Sequence, residues 1–304
     1  MRTSLSRFCP AVAGACLGAL LFGLRGDTRS LKPAADTSLF EVSPNNNLGK
    51  AWLAAGTQRS GERARALVRF DLAAVPTNAV VSSAAVTFKV VKAAAGAVAS
   101  TFELRRVLVD WTEGAKGSVG SGTGSAAAAG ESSWNSRGLE NWSAPGGAAG
   151  SDFAASTSAT QPLASASLAF ASTPGLVADV QAWLSDPAQN HGWVLLSQAE
   201  TTPLTARRFG SRETSGSEPT LVLAFSVPPT PAPPQLVEPT RAGDQLQFQF
   251  AAEAGQAYTV EFAPALPATT WQVLTNFAAA DALQTNTVQD NLTEPQRFYR
   301  VRSP

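Results

Sequence analysis

The sequence predicts an all-β protein: a jelly-roll-like β-sandwich with one short helix, followed by a small C-terminal antiparallel β domain. Short segments in which apolar and polar residues alternate recur between turn residues over 32–227. A second set of alternating segments follows a proline-rich run that begins at Pro228. Helical periodicity is rare, and this scarcity argues against any helix-rich fold class.

The N-terminus has the layout of a secretory signal. Arg2 and Arg7 precede an almost wholly apolar stretch at 11–24, which is short for a membrane span. We therefore expect residues 1–26 to be a signal peptide, with a retained anchor helix as the alternative. Cys9 and Cys16 both lie in this segment, so the mature protein has no thiol or disulfide. This predicts a secreted or cell-surface protein without membrane contact after cleavage.

Residues 32–227 read as the sandwich. Residues 67–72 alternate, with Val68, Phe70 and Leu72 on one face. Further strands are expected in the following segments: 80–91, 101–109, 168–170, 193–196 and 221–227. These spacings are typical of two packed sheets.

One segment of the sandwich has helical spacing, and two have the composition of loops. One stripe is formed by Val177, Val180, Trp183 and Leu184, and Asp186-Pro187 ends it, so we expect one short helix. Residues 114–133 and 146–150 are rich in Gly, Ser and Ala, which predicts long surface loops.

The C-terminal quarter reads as a linker and a small domain. The proline-rich run favours polyproline II, so residues 228–239 are predicted to be a semi-rigid linker. In the domain predicted at 240–304, residues 245–250 alternate Gln with Leu or Phe without interruption. Residues 258–262, 271–274 and 297–301 give further strands.

The residue inventory argues against nucleic-acid binding and catalysis. Lys plus Arg equals Asp plus Glu at 23 each, so no net positive charge attracts nucleic acid. His191 is the only histidine, and its turn context predicts an exposed loop residue. Glu103, Asp110, Glu113 and Asp152 could supply a glycosidase pair, but no spacing singles out two of them. We therefore predict that the protein is not an enzyme.

Three tryptophans are candidates for carbohydrate binding. Trp111, Trp134 and Trp142 lie in or beside loops, where an aromatic face can stack on a sugar ring. The alternative is that Trp111 and Trp134 plug the end of the sandwich. Trp183 and Trp193 are assigned to the core.

A cluster of cations within 20 residues gives a second set of candidates. Its members are Lys50, Arg59, Arg63, Arg65 and Arg69. Guanidinium groups match the carboxylates of an acidic polysaccharide, so we assign the first four to carbohydrate binding. The alternative is a solvated or salt-bridged face, favoured for Arg69 through Asp71 or Glu213.

No cofactor is expected beyond a structural calcium ion. Asp36, Asp152 and backbone carbonyls supply the oxygen ligands that calcium prefers, although the sequence has no calcium-loop signature. The sequence does not identify the residues of a metal site.

The order of several motifs resembles one known family. The motifs are Ala35-Asp36-Thr37, Asn45-Asn46-Asn47-Leu48-Gly49, Leu67-Val68-Arg69-Phe70-Asp71-Leu72, Asp110-Trp111-Thr112-Glu113-Gly114, Ser133-Trp134-Asn135, Gly150-Ser151-Asp152-Phe153, Val180-Gln181-Ala182-Trp183-Leu184, Asn190-His191-Gly192-Trp193-Val194-Leu195, Phe209-Gly210-Ser211-Arg212-Glu213 and Pro219-Thr220-Leu221. Over roughly 33–227 the chain resembles the DNRLRE family, also treated as a carbohydrate-binding module family with alginate among its ligands. The resemblance implies a jelly-roll-like sandwich. The lengthened Gly/Ser/Ala loop before Trp134 and the loss of acidic residues after Phe153 depart from it.

The C-terminal part looks like a small β domain appended to many secreted bacterial proteins. This likeness is carried by Tyr258-Thr259-Val260-Glu261, Trp271 and Arg297-Phe298-Tyr299-Arg300-Val301.

Two functions follow for the whole chain. The first is a secreted, non-catalytic carbohydrate-binding protein, with acidic polysaccharide as one candidate ligand. The second is a structural or interaction protein of the cell surface or extracellular matrix without a glycan ligand.

Overall fold

The computed structural model describes residues 26–118, 122–163, 166–228, 234–294 and 296–303. The chain divides into two compact units after Pro228. Most of the predicted signal peptide, residues 1–25, lies outside the described residues, and so do residues 229–233 of the predicted linker. Gly26, the last residue of that predicted signal, is the first residue of a strand.

The first unit consists mainly of antiparallel strands. They are β1 (Gly26–Leu31), β2 (Pro33–Phe40), β3 (Asn46–Asn47), β4 (Leu53–Thr57), β5 (Arg63–Phe70), β6 (Val80–Ala93), β7 (Thr101–Arg106), β8 (Ser125–Ala126), β9 (Ala159–Pro162), β10 (Ser167–Phe170), β11 (Trp193–Ser197), β12 (Arg207–Phe209) and β13 (Thr220–Ser226). One helix, α1 (Pro174–Ser185), and a 3₁₀ turn at Pro187–Gln189 complete the unit.

Eleven of these strands form one curled sheet, and β3 and β8 pair separately. Neighbours follow the order β1-β13-β6-β12-β4-β5-β11-β7-β9, with β10 beside β6 and β2 beside β5. Val86 and Phe88 of β6 share a buried cluster with Val68 and Phe70 of β5, so the two halves of the sheet enclose the core between them. The predicted all-β, sandwich-like fold is confirmed.

Helix α1 starts and stops where its sequence indicates. Thr173 caps it, since its hydroxyl oxygen accepts a hydrogen bond of 3.1 Å from the Leu176 amide. Pro174 suits the first turn, where its missing amide hydrogen costs nothing. Trp183 of this helix packs on Trp193 of β11 with ring centroids 4.6 Å apart, and both rings are buried, as predicted.

The loop region 107–158 includes buried residues as well as exposed ones. Asn47 holds part of it in place, because its Nδ2 donates to the carbonyls of Glu113 at 2.7 Å and Ser132 at 2.9 Å. Its Oδ1 accepts from the amides of Gly49 and Lys116. Ser132 is fully buried, so the prediction of a purely exposed loop over 114–133 is wrong at this point. One amide side chain here satisfies backbone groups that glycine and serine leave unpaired.

The second unit is the predicted small antiparallel domain. Its strands are β14 (Leu236–Ala242), β15 (Gln245–Ala252), β16 (Tyr258–Ala263), β17 (Gln272–Phe277), β18 (Gln284–Asn291) and β19 (Phe298–Arg302). They form two three-stranded sheets, β14-β15-β18 and β17-β16-β19. Phe250 and Val260 are fully buried between them. Strand β14 occupies residues that were predicted to be the end of the linker.

Across the described part of both units, no helix combines the length and the apolar character needed to cross a bilayer.

Candidate functional site

The three candidate tryptophans are buried. Trp111, Trp134 and Trp142 are 2%, 2% and 6% exposed and belong to a second hydrophobic cluster. The indole N–H groups of Trp111 and Trp142 donate to the carbonyls of His191 at 2.8 Å and Ser133 at 2.9 Å. The expectation that these rings present a face to a sugar is wrong, because their faces are already covered by protein. The alternative, in which tryptophans plug the sandwich, describes their packing.

Arg63 and Arg65 are occupied by carboxylates. Arg63 makes two hydrogen bonds to Glu41, at 2.9 and 2.7 Å, and these hold the pKa of Glu41 at about 2. Arg65 makes two to Glu200, at 2.7 and 2.6 Å. Both guanidinium groups lie over the ring of Trp134, at 5.1 and 5.5 Å from its centroid. These arginines therefore stabilise the fold, and their assignment to a ligand is corrected.

Lys50 and Arg69 also have acidic neighbours. Lys50 lies 3.8 Å from Glu213. Arg69 contacts Asp110 at 3.2 Å rather than either of the two expected carboxylates. His191 faces the same Asp110 at 3.6 Å, and its side chain is only 14% exposed. The histidine is thus less exposed than its turn context predicts, and burial lowers its pKa.

The four candidate catalytic carboxylates do not stand out as a pair. Glu103 contacts Arg105 at 2.6 Å, and Glu113 contacts Arg212 at 2.6 Å. Each of these two glutamates is thereby held in a local ion pair. This arrangement is typical of structural charges rather than of an acid and base across a substrate.

Asp36 and Asp152 are each engaged with backbone amides in different parts of the unit. Asp36 accepts from the amide of Arg212 at 2.7 Å. Asp152 accepts from the amides of Ser143 and Ala148. Within the described ranges, no three His, Cys, Asp or Glu side chains converge as a metal site would require.

An open groove of about 210 Å³ lies beside strands β4, β6 and β12. Arg208 of β12 has Lys92 of β6 and Ala54 of β4 as its direct cross-strand partners. Side chains of directly opposed residues share one sheet face, so the register places the two cations side by side. Trp52, just before β4, and Arg59, just after it, complete this part of the lining. We call this the cationic groove.

Trp52 holds Arg208 in place. The guanidinium carbon of Arg208 lies 3.7 Å from the centroid of the Trp52 ring, within range of a cation–π contact. Phe40 packs its edge against the same indole, with centroids 5.9 Å apart. Gly122, at φ +79°, allows the chain to pass close by, since a Cβ there would lie 2.7 Å from Arg208 Nη2. The guanidinium is thus fixed by a ring instead of a carboxylate.

The charge of the groove is one-sided. Four cations, Arg59, Lys92, Arg207 and Arg208, line it, and its described lining includes no Asp or Glu. Arg207 is engaged, because it donates to backbone carbonyls including that of Val98 at 2.7 Å. The other three have no carboxylate partner within the described chain. Burial lowers the pKa of Arg208, although arginine remains charged at any physiological pH.

Of the four cations that line this groove, only Arg59 was predicted, and Lys92, Arg207 and Arg208 were missed. Lys92 and Arg208 are far apart in the chain, and only the strand register brings them together. Trp52, which lies just before β4, was not among the candidate residues. The usable signal was the pair Arg207-Arg208 on a strand, since consecutive strand residues face opposite sides and one of them therefore faces outward.

Comparisons with known proteins add little to this geometry. No family model and no curated protein matches the chain. Among solved structures, the chain is similar to a β-1,2-glucanase from Parabacteroides distasonis at 12% sequence identity and a TM-score of 0.17. The match covers 91% of this chain and 34% of the glucanase chain, so the chain spans about a third of that protein's length. A likeness of this strength carries no argument about function.

Proposed function

We propose that the protein binds an anionic polysaccharide in the cationic groove and performs no chemistry on it. The observation that carries the proposal is the trio Arg59, Lys92 and Arg208, which has no carboxylate partner in the described chain beside a half-buried Trp52. The chain has equal numbers of acidic and basic residues. Three cations without a carboxylate partner in the described chain are therefore a local feature, although Arg59 also donates to the Ala95 carbonyl at 3.3 Å, and they favour a ligand with spaced negative charges.

Arg208 is well placed to recognise a carboxylate. Its guanidinium carbon lies 3.7 Å from the centroid of the Trp52 ring, and a guanidinium without a carboxylate partner can form a bidentate hydrogen bond with a carboxylate ligand. Because the group is held in place before binding, less side-chain entropy is lost on contact. Its partial burial strengthens the attraction relative to open water.

The size of the groove favours a polymer over a small molecule. Pockets that enclose a drug-sized ligand usually measure about 300–1,000 Å³. The groove has about 210 Å³ and is open to solvent. It suits one or two sugar rings of a chain that continues on either side.

Binding without catalysis is supported by the lining. General acid–base chemistry on sugars needs carboxyl, histidine or tyrosine groups, and none of these lines the described part of the groove. Arginine does not give up its proton at neutral pH. The groove therefore supports holding a ligand rather than cleaving it.

We further propose that the protein is secreted and that its first unit belongs with the DNRLRE family. The support is the N-terminal layout and the ordered motifs over 33–227. The partner would be a polysaccharide or a cell-surface component that carries one. The alternative remains a structural or interaction protein without a glycan ligand.

A glycan array followed by calorimetry tests the proposal. The mature protein is expected to bind oligouronates such as alginate fragments, with an affinity that falls as salt is raised. Arg208→Gln is expected to weaken binding about tenfold, the value of one charge-assisted contact. The matched control is Arg29→Gln, an exposed arginine paired with Asp27, which is expected to change nothing. Single-stranded DNA serves as a second polyanion.

Two results would overturn the proposal. Failure to bind any acidic glycan would favour the structural role. Equal affinity for DNA and oligouronate would reduce the groove to a general polyanion site.

A further inference from the structure

Small apolar side chains form the floor of the cationic groove. The strand register pairs Arg208 with Ala54 and Phe40 with Ala64, and all four residues line the groove. Ala54 and Ala64 are buried in one hydrophobic cluster with Phe40. Because an alanine side chain ends at its Cβ, these two positions leave space above the sheet. The floor is therefore an apolar hollow, which we call the alanine hollow: Phe40, Trp52, Ala54, Ala64 and Ala206.

One wall of the alanine hollow is fixed in place. Arg207 donates to three successive backbone carbonyls, at 3.2, 3.0 and 3.0 Å, those of Leu204, Thr205 and Ala206. Leu204 has φ +65°, a left-handed conformation that residues other than glycine rarely adopt. Gly56 allows this segment to lie close, since a Cβ there would be 2.7 Å from the Ala206 Cα. The hollow is thus preformed, so its wall does not have to be ordered when a ligand enters.

The groove also contains a hydrogen-bond donor without an acceptor. Gln58 lines the groove, and its Nε2 is buried with no hydrogen-bond partner among the residues that the structure describes. Its backbone carbonyl accepts from the amide of Leu204 at 3.3 Å, so the residue lies against the fixed wall. A buried donor that is left unpaired destabilises a protein, which indicates an acceptor from outside the chain. The side chain is neutral, so this acceptor does not need to be charged.

Three features of the groove together define the ligand. The cations Arg59, Lys92 and Arg208 supply positive charge, the alanine hollow supplies apolar contact, and a glutamine side chain supplies one neutral donor. An acetyl group combines a methyl group with a neutral carbonyl oxygen, so it matches the second and third features. A uronate without substituents carries carboxylate and hydroxyl groups but no methyl group for the hollow.

We propose that the cationic groove recognises an acetylated anionic polysaccharide. The inference rests on the proposed function and adds that an acetyl methyl group enters the alanine hollow while a carboxylate of the same ligand meets Arg208. The acetyl carbonyl oxygen supplies the acceptor that Gln58 Nε2 lacks. Two sources have this chemistry: an O-acetyl ester on a uronate, and the N-acetyl group of an amino sugar that alternates with a uronate.

Calorimetry of the full mature chain with three probes that carry equal numbers of carboxylates tests the inference. The probes are an oligouronate, the same oligouronate after chemical O-acetylation, and a hyaluronan oligosaccharide, which carries N-acetyl groups. We expect an acetylated probe to bind about tenfold more tightly than the unmodified oligouronate, the effect of one buried methyl group and one hydrogen bond. A gain for the second probe assigns the O-acetyl source, and a gain for the third assigns the N-acetyl source.

Two substitutions locate the gain. Gln58→Met removes the donor and keeps the length of the side chain, and Ala206→Val narrows the hollow. In each variant, the dissociation constant of the unmodified probe divided by that of the acetylated probe is expected to fall from about ten to below about three. Ala224→Val, the same change on β13 outside the groove, is the matched control and should keep the wild-type ratio. Circular dichroism melts show that each variant is folded.

The possible failures are distinguishable. Equal affinity for the unmodified and the acetylated probes would overturn the inference and leave the proposed function intact, with water as the partner of Gln58. Absence of binding to all three probes would overturn both. A gain that survives both substitutions in folded variants would place the acetyl group elsewhere on the protein, and this would overturn the inference as well.

Discussion

Two regions of the first unit place arginine over tryptophan, but they differ in whether the positive charge is balanced by a carboxylate. The guanidinium groups of Arg63 and Arg65 lie over the indole of Trp134, and each also forms an ion pair with a glutamate. In the cationic groove, Arg208 lies over Trp52 and no carboxylate contacts it within the described chain. The positive charges of the first region are balanced by glutamates, whereas Arg208 in the second region has no carboxylate partner within the described chain.

The difference shows that an arginine–tryptophan pair does not by itself mark a binding site. What distinguishes the two regions is whether the charge is already balanced. A balanced, buried pair contributes to stability, whereas a half-buried cation without a partner gains from any anion that arrives.

The tryptophan cluster should affect folding most strongly. Trp134→Ala removes a ring that is 2% exposed and leaves a cavity, so the free energy of unfolding is expected to fall by about 3–5 kcal/mol. Urea denaturation measures this. At a temperature where the variant stays folded, its affinity for oligouronate should match the wild type within twofold. A large affinity loss in a folded variant would return this tryptophan to the binding site.

Removing a balanced arginine should have the next largest effect. Arg65→Met leaves the Glu200 carboxylate without its bidentate partner, which is expected to cost about 3 kcal/mol of unfolding free energy. Arg63→Met is the control, because Arg63 is more exposed and its loss should cost about 1 kcal/mol. Equal, small effects in both variants would show that burial does not decide the role of these arginines.

Asp36, which belongs to neither region, should make the stability of the fold depend on pH, whereas ligand binding in the groove should not. Burial raises the pKa of Asp36 from 3.8 to about 8, with the nearby Glu113 and Glu213 adding to the rise. The folded state then keeps a proton that the unfolded state loses above about pH 4, so stability falls as pH rises towards 8. We expect a loss of about 3 kcal/mol between pH 5 and pH 7.

Asp36→Asn tests the origin of this loss, because it is expected to remove this part of the slope. Oligouronate binding should stay constant over the same pH range, since arginine and lysine do not titrate there. A wild-type stability that rises with pH would contradict the account of Asp36.

The smallest effect is expected at the edge of the groove. Lys92 is exposed, and its ammonium has no fixed geometry, so Lys92→Gln should weaken oligouronate binding only about threefold. Calorimetry at low and high salt measures it, and the difference from wild type should shrink as salt rises. An effect larger than that of Arg208→Gln would move the centre of the site away from Trp52.

The sequence predicted the fold better than the site. Alternation at 245–250 reflects burial on one sheet face, and such periodicity depends only on neighbours in the chain. At 67–72 the match is partial, because Leu67 and Val68 are buried on opposite faces of the strand. The groove depends instead on the register between β6 and β12, which places Lys92 opposite Arg208. The burial of Trp111 likewise depends on a loop that folds over the sheet and is held by Asn47. Contacts of this kind are set by tertiary packing and leave no periodic trace in the sequence.

The most direct test of the central claim follows the seven indole N–H signals of the protein in an NMR titration with an oligouronate. The account predicts that the Trp52 signal shifts with ligand concentration, because Arg208 on its face contacts the carboxylate. The buried indoles of Trp111, Trp134 and Trp142 should stay in place. Shifts confined to those three, with Trp52 unchanged, would contradict the account.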